Sequence, residues 1–255
     1  MARVKVAGQD IYYVERSAGE AKGKLVFIHG AGGTHRHWGY QLQGLSGVDL
    51  YSLDLPGHGR SEGEARTSIA GYAEFLLEFL EALDLTQATL VGHSMGGAIA
   101  QTFALDHASR VDRLILVGTG ARLRVLPSIL EGLLNDFEST VDMMLGSAYS
   151  HDAPQELVDL ARLEWLANPP EVLHGDFLAC DNFDMMERLG EIPCATLVLC
   201  GEADQLTPPK YASFLRERIA DATLSIIPNA GHMVMLEQPG LVNRAIEEFL
   251  AKTTA

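Results

Sequence analysis

The run Leu90-Val91-Gly92-His93-Ser94-Met95-Gly96-Gly97 decides how this chain is read. Residues 88–91 have the length and composition of a buried strand, and Ala98, Ile99, Ala100, Phe103 and Ala104 have the pattern of a helix packed closely on it. Between them Gly-x-Ser-x-Gly forces a sharp strand-to-helix elbow, with Gly92 and Gly96 removing bulk so that the Ser94 hydroxyl projects from the end of a sheet. The helix N-terminus behind the serine presents the positive end of its peptide dipoles, where developing negative charge is favoured.

On both sides of the elbow, strand-like runs recur at 4–6, 11–14, 25–29, 49–54, 114–117, 196–200 and 223–227, mostly separated by helical patterns. Such alternation predicts an α/β fold with a mostly parallel sheet and helices on both faces. The first two runs alternate polar and apolar residues and are joined by Gly8-Gln9-Asp10, which reads as an antiparallel hairpin at the sheet edge. Over 69–83, Tyr72, Phe75, Leu76, Phe79, Leu80 and Leu83 make one face of a helix while Glu74, Glu78 and Glu81 make the other. Further helices are predicted over 208–219 and 239–250, each opened by proline.

The strand rhythm stops between 121 and 192, where helical patterns occupy 125–137, 140–149, 154–167 and 170–188. This reads as a helical cap, 121–192, inserted into a core made of 1–120 and 193–255. Leu126, Ile129, Leu130, Leu133, Leu134, Met143, Met144 and Leu145 give it apolar faces. Most of these are expected in helix packing and a minority, Leu126 and Met144 among them, at a substrate pocket.

A chain of 255 residues with a formal net charge of -15 suits one large domain and repels nucleic-acid phosphates and anionic lipid. Neither nucleic acid nor membrane is expected as a partner. The N-terminal residues lack the apolar core of a signal peptide and no apolar run is long enough to span a bilayer, so a cytoplasmic location is expected. Cys180, Cys194 and Cys200 are odd in number and without zinc spacing, and read as reduced buried thiols. His29 and His58 sit in loop motifs and His35-Arg36-His37 lacks carboxylate or thiolate partners nearby, so neither a metal nor any other cofactor is expected.

A serine hydroxyl needs a base within reach and a third group to orient that base. His232 follows the strand-like 223–227 and a Pro228-Asn229 turn, which puts it at the end of a strand where parallel sheets build their sites. Asp204, in the loop after 196–200, is the leading acid; Glu202 is its rival, and Asp112 belongs to the wrong end of the sheet. His93 is expected to make a supporting hydrogen bond, and Asp54 to hold a loop. The order Ser94, Asp204, His232 matches one of the three known serine-hydrolase orders. Oxyanion donors are assigned to the N–H groups of Ala31, in the small-residue loop His29-Gly30-Ala31-Gly32-Gly33, and of Met95, which follows the nucleophile. Trp38 is placed beside that loop as a substrate contact.

With His29-Gly30-Ala31-Gly32, Asp54-Leu55-Pro56-Gly57-His58-Gly59-Arg60-Ser61, the elbow motif, and Gly201 to Asp204 with Gly231-His232 all in order, the chain resembles the α/β-hydrolase superfamily over nearly its whole length. The resemblance implies an eight-stranded sheet, a cap after the sixth strand, and triad roles for Ser94, Asp204 and His232. Serine as nucleophile sets the chain apart from the similar haloalkane dehalogenases and epoxide hydrolases, which use aspartate. The expected activity is hydrolysis of carboxylic esters of small to medium size through an acyl-enzyme. An enol-lactonase or carbon–carbon bond hydrolase of aromatic degradation is the alternative, with Arg122 or Arg124 meeting a substrate carboxylate; a non-catalytic ligand receptor on the same fold is the alternative of another class. The expected partner is a small-molecule ester, and assembly into a homo-oligomer stays open.

Overall fold

A run of strand residues whose neighbours alternate between two faces builds the frame. The computed structural model describes residues 2–252. Its strands are β1 (Ala2–Val6), β2 (Gln9–Arg16), β3 (Lys24–Ile28), β4 (Asp49–Leu53), β5 (Ala88–His93), β6 (Val111–Val117), β7 (Thr196–Gly201) and β8 (Ala222–Ile227). They form one eight-stranded sheet in the order β1-β2-β4-β3-β5-β6-β7-β8. The pairs β1–β2 and β2–β4 are antiparallel, and every other pair is parallel.

The helices are α1 (Gly39–Gly44), α2 (Ile69–Ala82), α3 (Met95–Asp106), α4 (Pro127–Asn135), α5 (Phe137–Ala148), α6 (Gln155–Leu166), α7 (Pro170–Asp181), α8 (Pro209–Arg218), α9 (Val234–Glu237) and α10 (Pro239–Ala251). Local signals set several starts. Ser68 caps α2 by accepting the Gly71 N–H at 3.1 Å, and proline opens α4, α7, α8 and α10, where its missing N–H has no helical partner to lose.

Both faces of the sheet are covered, so the central strands carry apolar side chains on both faces over most of their length. Val26, Ile28, Leu90, Leu114 and Leu116 pack with residues of α2, α3 and α8, while Leu25, Phe27, Val91, Ile115 and Val117 pack with residues of α1 and α10. The β1–β2 turn is made by Ala7 and Gly8, both at positive φ, and Val6 already pairs with Gln9. The expected turn at Gly8-Gln9-Asp10 is thus displaced by one residue, because a tight two-residue hairpin needs its left-handed residues at the two central positions.

Between β6 and β7 the chain leaves the sheet and forms α4 to α7, with α4 against α5 and α7, and α5 against α6. Helix α7 ends at Asp181, earlier than the periodicity over 170–188 predicts. From there the chain returns alongside the segment that led out: Asp181 accepts the Val125 N–H at 3.0 Å, Arg122 bridges Asp184, and Met185 N–H reaches the Ala121 carbonyl at 2.7 Å. Those tertiary bonds replace the helical ones. The three cysteines are free thiols, Cys180 and Cys200 buried and Cys194 half-buried. Among the described residues, no helix is long and apolar enough to cross a membrane.

Candidate active site

Ser94 stands between β5 and α3 at φ +52°, ψ -115°, a backbone conformation that costs a non-glycine residue of order 1–3 kcal/mol. Its surroundings over-determine it. Ser94 N–H donates to the Val117 carbonyl of β6 at 2.9 Å, a Cβ on Gly92 would overlap the Gly96 carbonyl, and a Cβ on Gly96 would overlap the Ile28 carbonyl of β3. The glycines therefore serve close backbone packing of β5, α3 and β3, which in turn holds the serine outward.

His232 lies in the loop after β8. Its N–H donates to the Ala148 carbonyl at the end of α5 at 2.9 Å, and its carbonyl accepts from His93 Nε2 at 3.0 Å. Its Nδ1 meets Asp204 Oδ2 at 3.0 Å, where a carboxylate can only accept, so Nδ1 carries the proton. Asp204 is buried after β7 and also receives the N–H groups of Leu206 and Thr207, each at 2.9 Å, and the Thr207 hydroxyl at 2.8 Å. Burial alone would raise its pKa; the His232 ring and the Thr207 donors outweigh it and hold the carboxyl below its ordinary value.

Glu202 is exposed and has no such contact, and Asp112 pairs with Thr89 at the opposite end of the strands. Thr207, 3.2 Å from His232 Nδ1, is a member of the arrangement that sequence reasoning missed; its place before two helix-opening prolines was visible, its contacts were not.

His29 links the loop after β3 to the loop after β4. Its Nδ1 faces the Gly30 carbonyl at 2.8 Å and its Nε2 accepts the Leu55 N–H at 3.0 Å, which fixes the neutral Nδ1–H tautomer. Burial, with the neighbouring His58, pushes its pKa down to about 3. The Gly30 carbonyl also receives Gly33 N–H at 3.1 Å. Carbonyl and N–H are trans across a peptide bond, so pinning the Gly30 carbonyl turns the Ala31 N–H the other way. Met95 begins α3, and its N–H has no carbonyl four residues earlier in that helix to bond.

A cavity of about 360 Å³ is lined by Ser94, His232, Ala31, His93 and Thr207 from the core, and by Leu126, Ile129, Met143, Met144, Trp165 and Phe177 from the insertion. No Asp or Glu is among the described residues that line it, and Arg124 is; Arg122 is outside, 3.5 Å from Asp184. Of the other insertion residues expected to be apolar contacts, Leu133 and Leu145 are buried between helices and Leu134 is exposed.

Trp38 requires a correction. It does not line the cavity but is fully buried against Phe27 of β3, with the ring centroids 5.0 Å apart. Residues 35–38 form a 3-10 turn, in which consecutive side chains diverge by a third of a turn, so His37 meets the cavity and Trp38 turns away from it.

Three further histidines of the loops after β3 and β4 are engaged with carboxylates. His35 Nδ1 pairs with Asp54 at 2.8 Å, His37 Nε2 with Glu164 at 2.9 Å and His58 Nε2 with Asp176 at 2.7 Å. Asp54 also accepts the N–H groups of His35 and Arg60, which closes its own loop. Among the described residues there is no group of three or more His, Cys, Asp or Glu arranged to hold a metal.

This fold and this site define a hydrolase class. The chain belongs to the alpha/beta hydrolase family, whose model matches residues 25–245, and it is a hydrolase of that family. It is similar to a pimeloyl-[acyl-carrier protein] methyl ester esterase of Nitrosospira multiformis, 30% identical over 91% of this chain and 95% of that one. It also resembles a solved thermophilic esterase at 39% identity and TM-score 0.88, covering 98% of this chain and 96% of the other. The enol-lactonase from Burkholderia xenovorans LB400 shares the fold, with TM-score 0.92 at 22% identity over 98% of this chain and 100% of that one.

Proposed function

We propose that this hydrolase is a carboxylesterase of small to medium substrates, working through a Ser94–His232–Asp204 triad. One observation carries the reading: His232, oriented by Asp204 at 3.0 Å, shares a mostly apolar cavity with the strained Ser94. His232 takes the Ser94 proton as Oγ attacks the ester carbonyl, and the N–H groups of Ala31 and Met95 receive the oxyanion. The alcohol leaves with the proton from His232, which then activates water to release the acid and restore the serine. No added cofactor is needed for these steps. Residues 121–192 act as a cap over a core of 1–120 and 193–255, and its apolar side chains select the acyl or alcohol group. The similarity to two esterases supports this reading.

The test is a fluorophosphonate probe with a panel of short and medium-chain p-nitrophenyl esters. Labelling and hydrolysis by the wild type, both absent in Ser94→Ala, are the expected results. A folded wild type that is not labelled favours a ligand receptor. Because Arg124 lines the cavity, a lactonase or carbon–carbon hydrolase reading has its own test. A strong preference for an anionic enol-lactone, lost in Arg124→Ala, would replace the simple ester reading.

A further inference from the structure

Gly32 is gripped from both sides by the insertion. Its N–H donates to Asp176 Oδ2 of α7 at 2.8 Å, and its carbonyl accepts from Asn168 Nδ2, between α6 and α7, at 2.9 Å. It sits at φ +63°, and a Cβ there would overlap Leu173 of α7. The peptide planes before and after Gly32 therefore take their orientation from insertion side chains. Ala31, which lines the cavity, begins at the other end of the first plane.

The charge of Asp176 is met by a built environment. Oδ2 also meets His58 Nε2 at 2.7 Å, and Oδ1 accepts the Tyr72 hydroxyl at 2.5 Å. His58 Nδ1 faces the Pro56 carbonyl at 3.0 Å, which can only accept. His58 and Asp176 thus form a fully buried hydrogen-bonded pair that anchors the carboxylate facing Gly32. Burial would push the His58 pKa down, yet Asp176 and the Pro56 carbonyl raise it on balance. A buried pair of this kind contributes little net stability compared with apolar residues of the same size; what it supplies is a fixed position for the Asp176 carboxylate.

We propose that Asp176 and Asn168 are positioning residues for acyl transfer: they set the loop that carries the Ala31 N–H, so the donor pair is complete only when α6 and α7 are seated on the core. The inference rests on the reading of Ala31 and Met95 as oxyanion donors. Neither Asp176 nor Asn168 lines the cavity, and both act through Gly32.

The experiment measures kcat and KM per mole of folded protein for wild type, Asn168→Ala, Asp176→Asn and Ser94→Ala. Alongside these it measures inhibition by an alkyl trifluoromethyl ketone. Ser94 Oγ adds to the ketone carbon, its proton passes to His232, and the former carbonyl oxygen becomes the alkoxide facing the donors. In Asn168→Ala, kcat falls about tenfold with KM nearly unchanged, and ketone affinity falls by the same factor as kcat/KM. Asp176→Asn acts in the same direction. Unchanged kcat in folded Asn168→Ala, or lost kcat with undiminished ketone affinity, overturns the proposal. Should neither variant fold, hydrogen exchange at the wild-type Gly32 amide decides: slow exchange supports the grip and immediate exchange refutes it. Wild-type hydrolysis by Ser94→Ala would instead sink the esterase reading itself, whereas an inactive Ser94→Ala beside a fully active Asn168→Ala removes only the positioning role.

Discussion

The Ser94 elbow and the loop 30–33 face one cavity but are held in opposite ways. Neighbouring backbone fixes the elbow: β6 takes its N–H, and Gly92 and Gly96 let β5, α3 and β3 close around it. In the loop only the Gly30 carbonyl is held locally, by His29 and Gly33, while side chains more than 120 residues away hold the rest, with Asn168, Asp176 and Leu173 on Gly32 and Glu164 on the following Thr34 and His37. His232 is intermediate, its N–H on the insertion and its carbonyl on the elbow residue His93. The difference teaches that the Ser94 hydroxyl is placed by the sheet, whereas the loop across the cavity from it depends on a second, inserted layer.

That contrast breaks most sharply at the elbow. Ser94→Ala and His232→Ala should each lower turnover by on the order of a millionfold while leaving the thermal midpoint near wild type, measured by active-site-independent ester kinetics and calorimetry. Asp204→Asn should cost about ten-thousandfold, since the amide can favour the wrong His232 tautomer; if it is harmless and Glu202→Gln cripples the enzyme, the acid has been misassigned. Phe103→Ala, which hollows the fully buried side of α3 behind the elbow, should destabilise by about 3–5 kcal/mol in urea unfolding.

The loop side of the comparison is sharpened by pH. Burial alone would raise the Glu164 pKa, but His37 and Thr34 hold it at about 2 from an ordinary 4.5. A carboxylate depressed in the folded state contributes stability above its unfolded pKa and loses it as pH falls from about 4.5 towards 2. The melting temperatures of wild type and Glu164→Gln should therefore differ at pH 6 and converge towards pH 2; a gap independent of pH would show that the carboxylate charge is not what ties α6 to the loop. The smallest effect is expected at Arg162→Ala, which removes exposed pairs with Glu138 and Asp142 within the insertion. It should leave both the urea midpoint and the ester kinetics close to wild type, since exposed ion pairs are screened by solvent.

Much of the core was legible because its signals are local. Alternating apolar runs announced all eight strands, and Gly-x-Ser-x-Gly announced the elbow, because strand burial and tight turns restrict residues a few positions apart. The order of Asp204 and His232 along the chain, each just after an apolar run, was equally readable. Trp38 differs from the expectation because a one-residue step inside a 3-10 turn sends its side chain onto Phe27 while His37 meets the cavity, and no periodicity marks that choice. Helix α7 was drawn too long because helical spacing continued where tertiary hydrogen bonds took over.

By itself the sequence determined the α/β alternation, the elbow and the residue types available for acyl-transfer chemistry, since backbone sterics and hydrophobic period act over short separations. Only the tertiary structure decided that Asp204 rather than Glu202 meets His232, that Thr207 joins them, and that Asp176 reaches across 144 positions to Gly32. Those contacts depend on how the insertion settles on the sheet. Long-range packing, with buried polar groups that must each find a partner, leaves no local pattern from which to read them.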